Sequence, residues 1–552
     1  MNSADEYFRA GNNIPWWAAG ISMYMTNFTA YTFVGIASLV YMRGFTGLLL
    51  ETGPALAFLL AAVVFATRWH RLDLTSPPEY MELRFNRTTR QVYSFFGILS
   101  GLIGNGIRLL SMCKLLESFT GFPAEILIVL GGGAVIIYTM LGGLWGVIIT
   151  DVLQFIILLL AAVLLLTIAI YSALTTIGWH GFWAQLPEGY AVFPNTSIIA
   201  EYSGIPVDPG SQWMWMMVFW FSYLIDYNGN WGVIQRMCCT PTESDAKKSA
   251  FLAAILSVPH AFLLLGVCFI ARVLWGAEFL DPNDVQQAEM VFGKVATTLL
   301  PAGLVGIVAA AMLSATMSTL NVSWAVQSTS VVNDLWKTFF RPNASEKESV
   351  IVGRISVAVI GGIATSVALV ISLTETDILG FAQSLIALVV TPVLLPMLLG
   401  VLLRKVHPYG ALTALVATFS FGVLNKVFLH WQFEMEVIAS ALVCTATMLL
   451  SGVFVREEDN ANKNKEFFSR ISTPRSVLES INSNIPAPLL VVSLFLIIIG
   501  LLIAVLVVLP QPLFHRMLTT FAALTLITLG ILLRHVSTKH AMLQSGNGGN
   551  VK

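Results

Sequence analysis

Ala315, Ser318 and Thr319 follow one another at i, i+3 and i+4, so on a helix they share one face within a single turn. Two neighbouring hydroxyls and a backbone carbonyl are oxygen donors that suit a hard monovalent cation such as sodium, and they bring no full charge into an apolar segment. Small residues of this kind also serve plain helix packing in membranes, so spacing alone leaves both readings open. Asp151 places a carboxylate at the start of another apolar run, one residue after Thr150 and three before Gln154. There it marks a functional site or an interfacial pair with a loop arginine. Other polar groups interrupt apolar runs and are candidates for contact with a small solute: Asn27, Tyr31, Thr32, Glu51, Arg108, Asp226, Asn230 and Gln383. Arg108 could meet a substrate carboxylate or pair internally with Asp226 or Glu51. Trp213, Trp215, Trp220, Tyr223 and Tyr227 crowd the run around Asp226, where they could stack on a planar or sugar-like ligand or anchor the chain at an interface. The five cysteines have no metal-ligand spacing and read as packing residues, and His260 after Pro259 reads as structural.

The elements that position these residues must be membrane spans. Of 552 residues, 56% are hydrophobic and 11% charged, whereas an ordinary soluble protein carries about 25% charge. That composition excludes a water-soluble enzyme, and a net charge of −1 predicts no nucleic-acid partner. Runs of roughly 20 apolar residues suffice for a span, and they occur near 15–41, 46–67, 91–116, 123–142, 145–172, 212–232, 249–276, 299–330, 350–372, 378–403, 409–427, 433–455, 486–509 and 514–534. The polar, acidic start is no cleavable signal peptide, so the first span is retained.

Lysine and arginine gather after the even-numbered spans. Arg68, Arg71, Arg84, Arg87 and Arg90 follow span 2, Arg236, Lys247 and Lys248 lie in and after span 6, and Lys337, Arg341 and Lys347 follow span 8. Arg404 and Lys405 come next, then a charged loop from Arg456 to Arg475, then Arg534 and Lys539, while 173–211 holds neither residue type. The bias predicts both termini in the cytoplasm, 173–211 outside, and a flexible cytoplasmic linker over 456–485. Two sets of five spans, 15–172 and 212–404, then enter the membrane from opposite sides, as in an inverted-topology repeat. The first span of each set has a polar middle, the sign of a helix broken around a cavity. The expected fold is an all-α polytopic membrane protein: a cytoplasmic segment 1–14, a five-plus-five core with broken spans 1 and 6, accessory spans over 405–455 and 486–534, and a cytoplasmic tail 535–552.

Four segments resemble the solute:sodium symporters. EYFRAGNNIPWWAAGISM at 6–23 is similar to the family's entry segment, and LTSPPEYMELRFN at 74–86 to its loop after the second core span. GGLWGVIITDVLQ at 142–154 is similar to its GGxxxVxxTDxxQ signature, and AAAMLSATMSTLN at 309–321, followed by Asp334, to its sodium-site helix. The resemblance implies a sodium ion held by the Ala315 carbonyl, the Ser318 and Thr319 hydroxyls, and the carbonyls of Met25 and Phe28 on an unwound span 1. It implies that Asp151 lines the sodium exit path. It also implies a solute bound at mid-membrane between spans 1 and 6, sodium as the coupling ion with no other cofactor, and a plasma-membrane location. Two departures stand out: Asn12 replaces the family's usual arginine, and Thr32 and Ile255 replace the glutamine and lysine of sugar-transporting members, against a galactose-like binding mode. The alternatives are an intramembrane enzyme and a transporter-like sensor. No HExxH, GxGD or GxxxxGK[ST] segment supports proteolysis or nucleotide-driven transport, and no signalling domain follows residue 535.

Overall fold

A computed structural model describes residues 14–26, 28–72, 74, 77–141, 144–194, 209–374, 378–454, 457–473 and 523–535, with scattered residues between 493 and 520. The described residues are helical, with no strand among them. Nine of their helices are long and apolar enough to cross a membrane. Helices are the expected solution because lipid offers no partner for backbone N–H and C=O groups.

The first predicted span is two helices, α1 (Trp16–Thr26) and α2 (Thr32–Arg43). Then come α3 (Phe45–Leu72), α4 (Arg87–Thr120), α5 (Ala124–Leu141) and α6 (Leu144–Thr176). The sixth span is likewise two helices, α7 (Pro209–Gly229) and α8 (Trp231–Cys238), separated at Asn230. They are followed by α9 (Glu243–Phe279), the short α10 (Val291–Leu299) and α11 (Ala302–Ser330). The described chain continues with α12 (Glu346–Ser372), α13 (Ile378–Leu402), α14 (Gly410–Leu429), α15 (Phe433–Ser451) and α16 (Glu457–Ser472). α1 packs on α9 and α6, and α4 packs on α11 and α12. The hairpin of α14 and α15 leans on α13, and α15 also touches α7.

Several helices outrun the apolar runs that announced them, because polar caps set their ends. Asn86 accepts the Thr89 N–H at 2.8 Å and starts α4 four residues before its run, and Gly121, at φ 71°, ends it four residues after. Thr242 caps Asp245 in the same way at the start of α9. Beyond α11 the chain stays helical to Phe340 through a wider π-helical stretch, Val331–Phe340, where the apolar run predicted an end near 330.

The face carrying the arginine-rich connections, here the basic face, is less exposed than the charge count suggested. Arg84 and Arg236, read as loop cations, are buried. Arg84 donates to the Gly400 and Leu403 carbonyls at 2.7 Å each and to Asn464, between the rings of Phe85, Phe467 and Phe468. The stretch expected as a flexible linker over 456–485 contains α16, which docks through Phe467 and Ile471, one turn apart and both buried. Arg71 grips Glu243 with two bonds of 2.9 and 2.8 Å and the Ile471 carbonyl at 2.7 Å, tying α3, α9 and α16 together. Most of the predicted span 486–509 lies outside the described residues, and 514–534 is described chiefly as a helix over Ala523–His535.

Candidate sodium and solute site

A break in a buried helix leaves backbone groups without partners, and they must be satisfied from elsewhere. In span 1 those partners come from α11. Thr316 Oγ1 accepts the Ala30 N–H at 2.9 Å on one side of the break, and Thr319 Oγ1 donates to the Thr26 carbonyl at 3.3 Å on the other. Thr319 Oγ1 also lies 3.2 Å from the Ala315 carbonyl oxygen of its own helix. Within the break the Met25 carbonyl accepts the Phe28 N–H at 3.1 Å. Met25 and Phe28 are both buried beside it, and Asn27 lies outside the described residues. The carbonyl that Thr319 meets is thus that of Thr26, between the two the resemblance implied.

Ser318, one residue before Thr319, turns toward the basic face and donates to Asp151 Oδ1 at 2.8 Å. The other carboxylate oxygen accepts the Ser22 hydroxyl at 2.5 Å and lies 3.4 Å from the Arg236 guanidinium. Arg236 also donates to Ser22 Oγ at 2.9 Å and to the Gly232 carbonyl at 2.8 Å. The Asp151 and Arg236 side chains are 2% and 1% exposed, so the carboxylate partners a helix arginine rather than a loop one. The network ties α1, α6, α8 and α11 together on the basic side of the break. A buried pair of this kind holds only while its partners stay in place, because either charge alone is costly to leave in an apolar interior.

A cavity of about 240 Å³ opens from the two helix breaks toward the basic face. Its lining includes Thr26, Thr319, Gly229 and Asn230 at the breaks, Arg108 and Asp226, and Tyr93, Ser94 and Ser330 toward the basic face. Arg108 and Asp226 bring opposite charges to this lining. Asn230 spends its side-chain oxygen on capping α8, where it accepts the Gly232 N–H at 2.9 Å. Beyond the cavity's mouth Asp334 is held by Arg90 at 2.7 Å and Ser94 at 2.8 Å, closing α4 onto the end of the α11 helix.

Of the predicted solute contacts, Arg108, Asp226 and Asn230 share this cavity, while Thr32, Glu51 and Gln383 are buried outside its lining. Glu51 lines a separate small crevice with Tyr24, Phe28 and Tyr227, and the Tyr223 hydroxyl stands 3.5 Å from its carboxylate. The aromatic run of α7 therefore packs against α3, with Phe58 and Tyr227 ring centres 5.0 Å apart.

The sodium:solute symporter family profile matches residues 7–417. The chain belongs to the sodium:solute symporter family. Among its relatives are the sodium/sialic acid symporter NanT of Aliivibrio fischeri, 28% identical over 76% of this chain and 81% of the relative, and the sodium/glucose cotransporter of Vibrio parahaemolyticus, 26% identical over 77% and 80%. The sodium/myo-inositol cotransporter 2 of Oryctolagus cuniculus is 26% identical over 76% of this chain and 65% of its own length. Among solved structures, the substrate-bound outward-open state of a Na+-coupled sialic acid symporter overlays with a TM-score of 0.70 at 22% identity, covering 82% of this chain and 93% of that one. Mhp1, a nucleobase-cation-symport-1 family transporter in a closed conformation with bromovinylhydantoin bound, overlays with a TM-score of 0.50 at 13% identity, covering 85% and 99%.

This sodium:solute symporter is thus a multi-pass membrane protein that couples a small solute to sodium. Sequence reasoning missed three residues at its centre. Thr316 sits between Ala315 and Ser318 and was passed over because it falls off their shared face. Ser22 carries no signal of its own beyond standing four residues before Thr26. Arg236 was counted with the loops because the apolar run ends at 232.

Proposed function

We propose that the protein imports a hydroxyl-bearing organic solute across the plasma membrane, with sodium bound where α11 meets the break in span 1. The observation that carries this reading is the Thr319 hydroxyl held between the Thr26 and Ala315 carbonyl oxygens at 3.3 and 3.2 Å, at the head of a cavity also lined by Arg108 and Asp226. Sodium replaces that hydroxyl proton's contacts: it takes the Ser318 and Thr319 hydroxyls, the Ala315 carbonyl and the break carbonyls of Met25 and Phe28, or of Thr26 in their stead. All are neutral oxygens, which suit a hard monovalent ion. Asp151 receives the ion on its way to the basic face, which is the cytoplasmic one by its charge. The two termini are cytoplasmic, and 15–172 and 212–404 form the inverted repeats.

The solute occupies the cavity beneath the breaks, where Arg108, Asp226 and Asn230 offer both donors and acceptors. The named relatives handle sialic acid, glucose and myo-inositol, all rich in hydroxyls. A solute that also carries a carboxylate would compete with Asp226 for Arg108. The test is a thermal-shift screen of the purified protein against sugars, polyols, amino acids and carboxylates, in sodium and in potassium. A hydroxyl-bearing solute that raises the melting temperature in sodium and not in potassium supports the reading. A panel in which none does so overturns it.

A further inference from the structure

On the face opposite the basic one, the segment between α9 and α11 lies over the outer half of span 1. Phe292 at the start of α10 meets Phe33 edge to face, with ring centres 4.8 Å apart, and Tyr41 donates to the Leu280 and Gly276 carbonyls at 2.8 and 3.0 Å. α10 also approaches α4 closely: a Cβ on Gly293 would fall 2.5 Å from Ser118 Cβ, so glycine is required there. At the centre of this cover is Glu289, whose side chain is 1% exposed. One of its oxygens pairs with the Lys114 ammonium on α4, and the other accepts the Ile378 N–H at the first turn of α13 at 2.8 Å.

We propose that Lys114, Glu289 and the Ile378 N–H form the latch that keeps the extracellular side shut while the cavity faces the cytoplasm, and that it must release for solute to enter. Three elements meet in it: the covering segment, α4 and α13. A carboxylate withdrawn from water is costly once its cation leaves, so parting Lys114 from Glu289 carries a penalty that holds the cover on α4. Beneath it, at the span 1 break, the cavity lined by Thr26 and Thr319 extends to Tyr93, Ser94 and Ser330 on the basic side. Movement of the cover off Phe33 and away from α4 breaks Lys114–Glu289. The assignment of sides rests on the charge-based topology given above.

The test uses the full-length protein in intact cells, with a cysteine in place of Phe33 reporting access beneath the cover to an impermeant thiol reagent. A second cysteine at position 197 reports separately whether this face is outside, and the chain without either serves as background. Glu289→Gln keeps an acceptor for Ile378 and removes the charge, Lys114→Met removes the cation, and Lys114→Arg preserves the pair. Expected are labelling at position 33 at least fivefold faster for Glu289→Gln and for Lys114→Met, near the parental rate for Lys114→Arg, and no faster in the double variant Lys114→Met/Glu289→Gln than in either single one, because both remove one interaction. Sodium-dependent thermal stabilisation retained in each variant shows that it is folded. Unchanged labelling in folded Glu289→Gln and Lys114→Met, or effects that multiply in the double variant, would overturn the latch. Absence of labelling at position 197 would overturn the topology, and the latch's place on the entry side with it.

Discussion

Thr319 is the residue on which the ion assignment turns, because its hydroxyl already sits where two carbonyl oxygens converge. Removing it together with its neighbour, in Ser318→Ala/Thr319→Ala, deletes two oxygen donors worth about 1–2 kcal/mol each. Sodium activation of uptake should shift at least tenfold to higher concentration, and unchanged sodium dependence in a well-expressed variant would remove the site from α11. Asp151→Asn is the companion experiment. Arg236 keeps the Gly232 carbonyl and the Ser22 hydroxyl but loses its buried counter-charge, so uptake is compared only after a melting curve shows the variant folded. Sodium release should slow and maximal uptake fall, while solute affinity in saturating sodium stays within a few-fold. Loss of solute binding itself would place Asp151 in the solute pocket or the folding core. The common face of Ala315, Ser318 and Thr319 was legible from spacing, while the ion proposed there was suggested by the resemblance. Ser22, Arg236 and Thr316 were not, since each acquires meaning only from a partner 129, 85 or 286 positions away.

At the scale of elements, the breaks in spans 1 and 6 were readable as polar residues in apolar surroundings, but what repairs them was not. Thr316 repairs the first. Thr316→Val leaves the buried Ala30 N–H without its acceptor, which costs about 1–3 kcal/mol, so the melting temperature should drop by several degrees, while Thr316→Ser should match the parent. An equal melting temperature for the valine variant would show that another group caps the break. Asn230 repairs the second by capping α8. Helix lengths were underestimated where Asn86 and Thr242 lie outside the apolar runs they terminate. The docking of α16 was hidden because its sequence is polar overall, and Phe467, Phe468 and Ile471 supply apolar contacts. Arg84→Met should release it, seen as faster proteolysis within 457–473, whereas an unchanged cleavage rate would mean that Arg71 and the aromatic contacts suffice.

For the whole molecule, the charge bias makes a direct claim about sides. A cysteine at Ser197 should react with an impermeant thiol reagent from outside and one at Asn460 should not, and the reverse pattern would invert the topology. The family's activity adds a thermodynamic constraint: if sodium tightens the solute by some factor, the solute tightens sodium by the same factor. Isothermal titrations in each order should agree, and only a difference in affinity between the two facing states turns that linkage into transport. Arg84 gives the molecule a history as well as a shape. Its carbonyl partner at Gly400 lies 316 residues downstream and its amide partner at Asn464 lies 380 residues downstream. At roughly 5–20 residues added each second, that guanidinium waits for tens of seconds at the growing protein's rim before its seat exists. The side of the membrane on which an early arginine waits must therefore be decided by water and lipid headgroups, and only afterwards by the helices that enclose it.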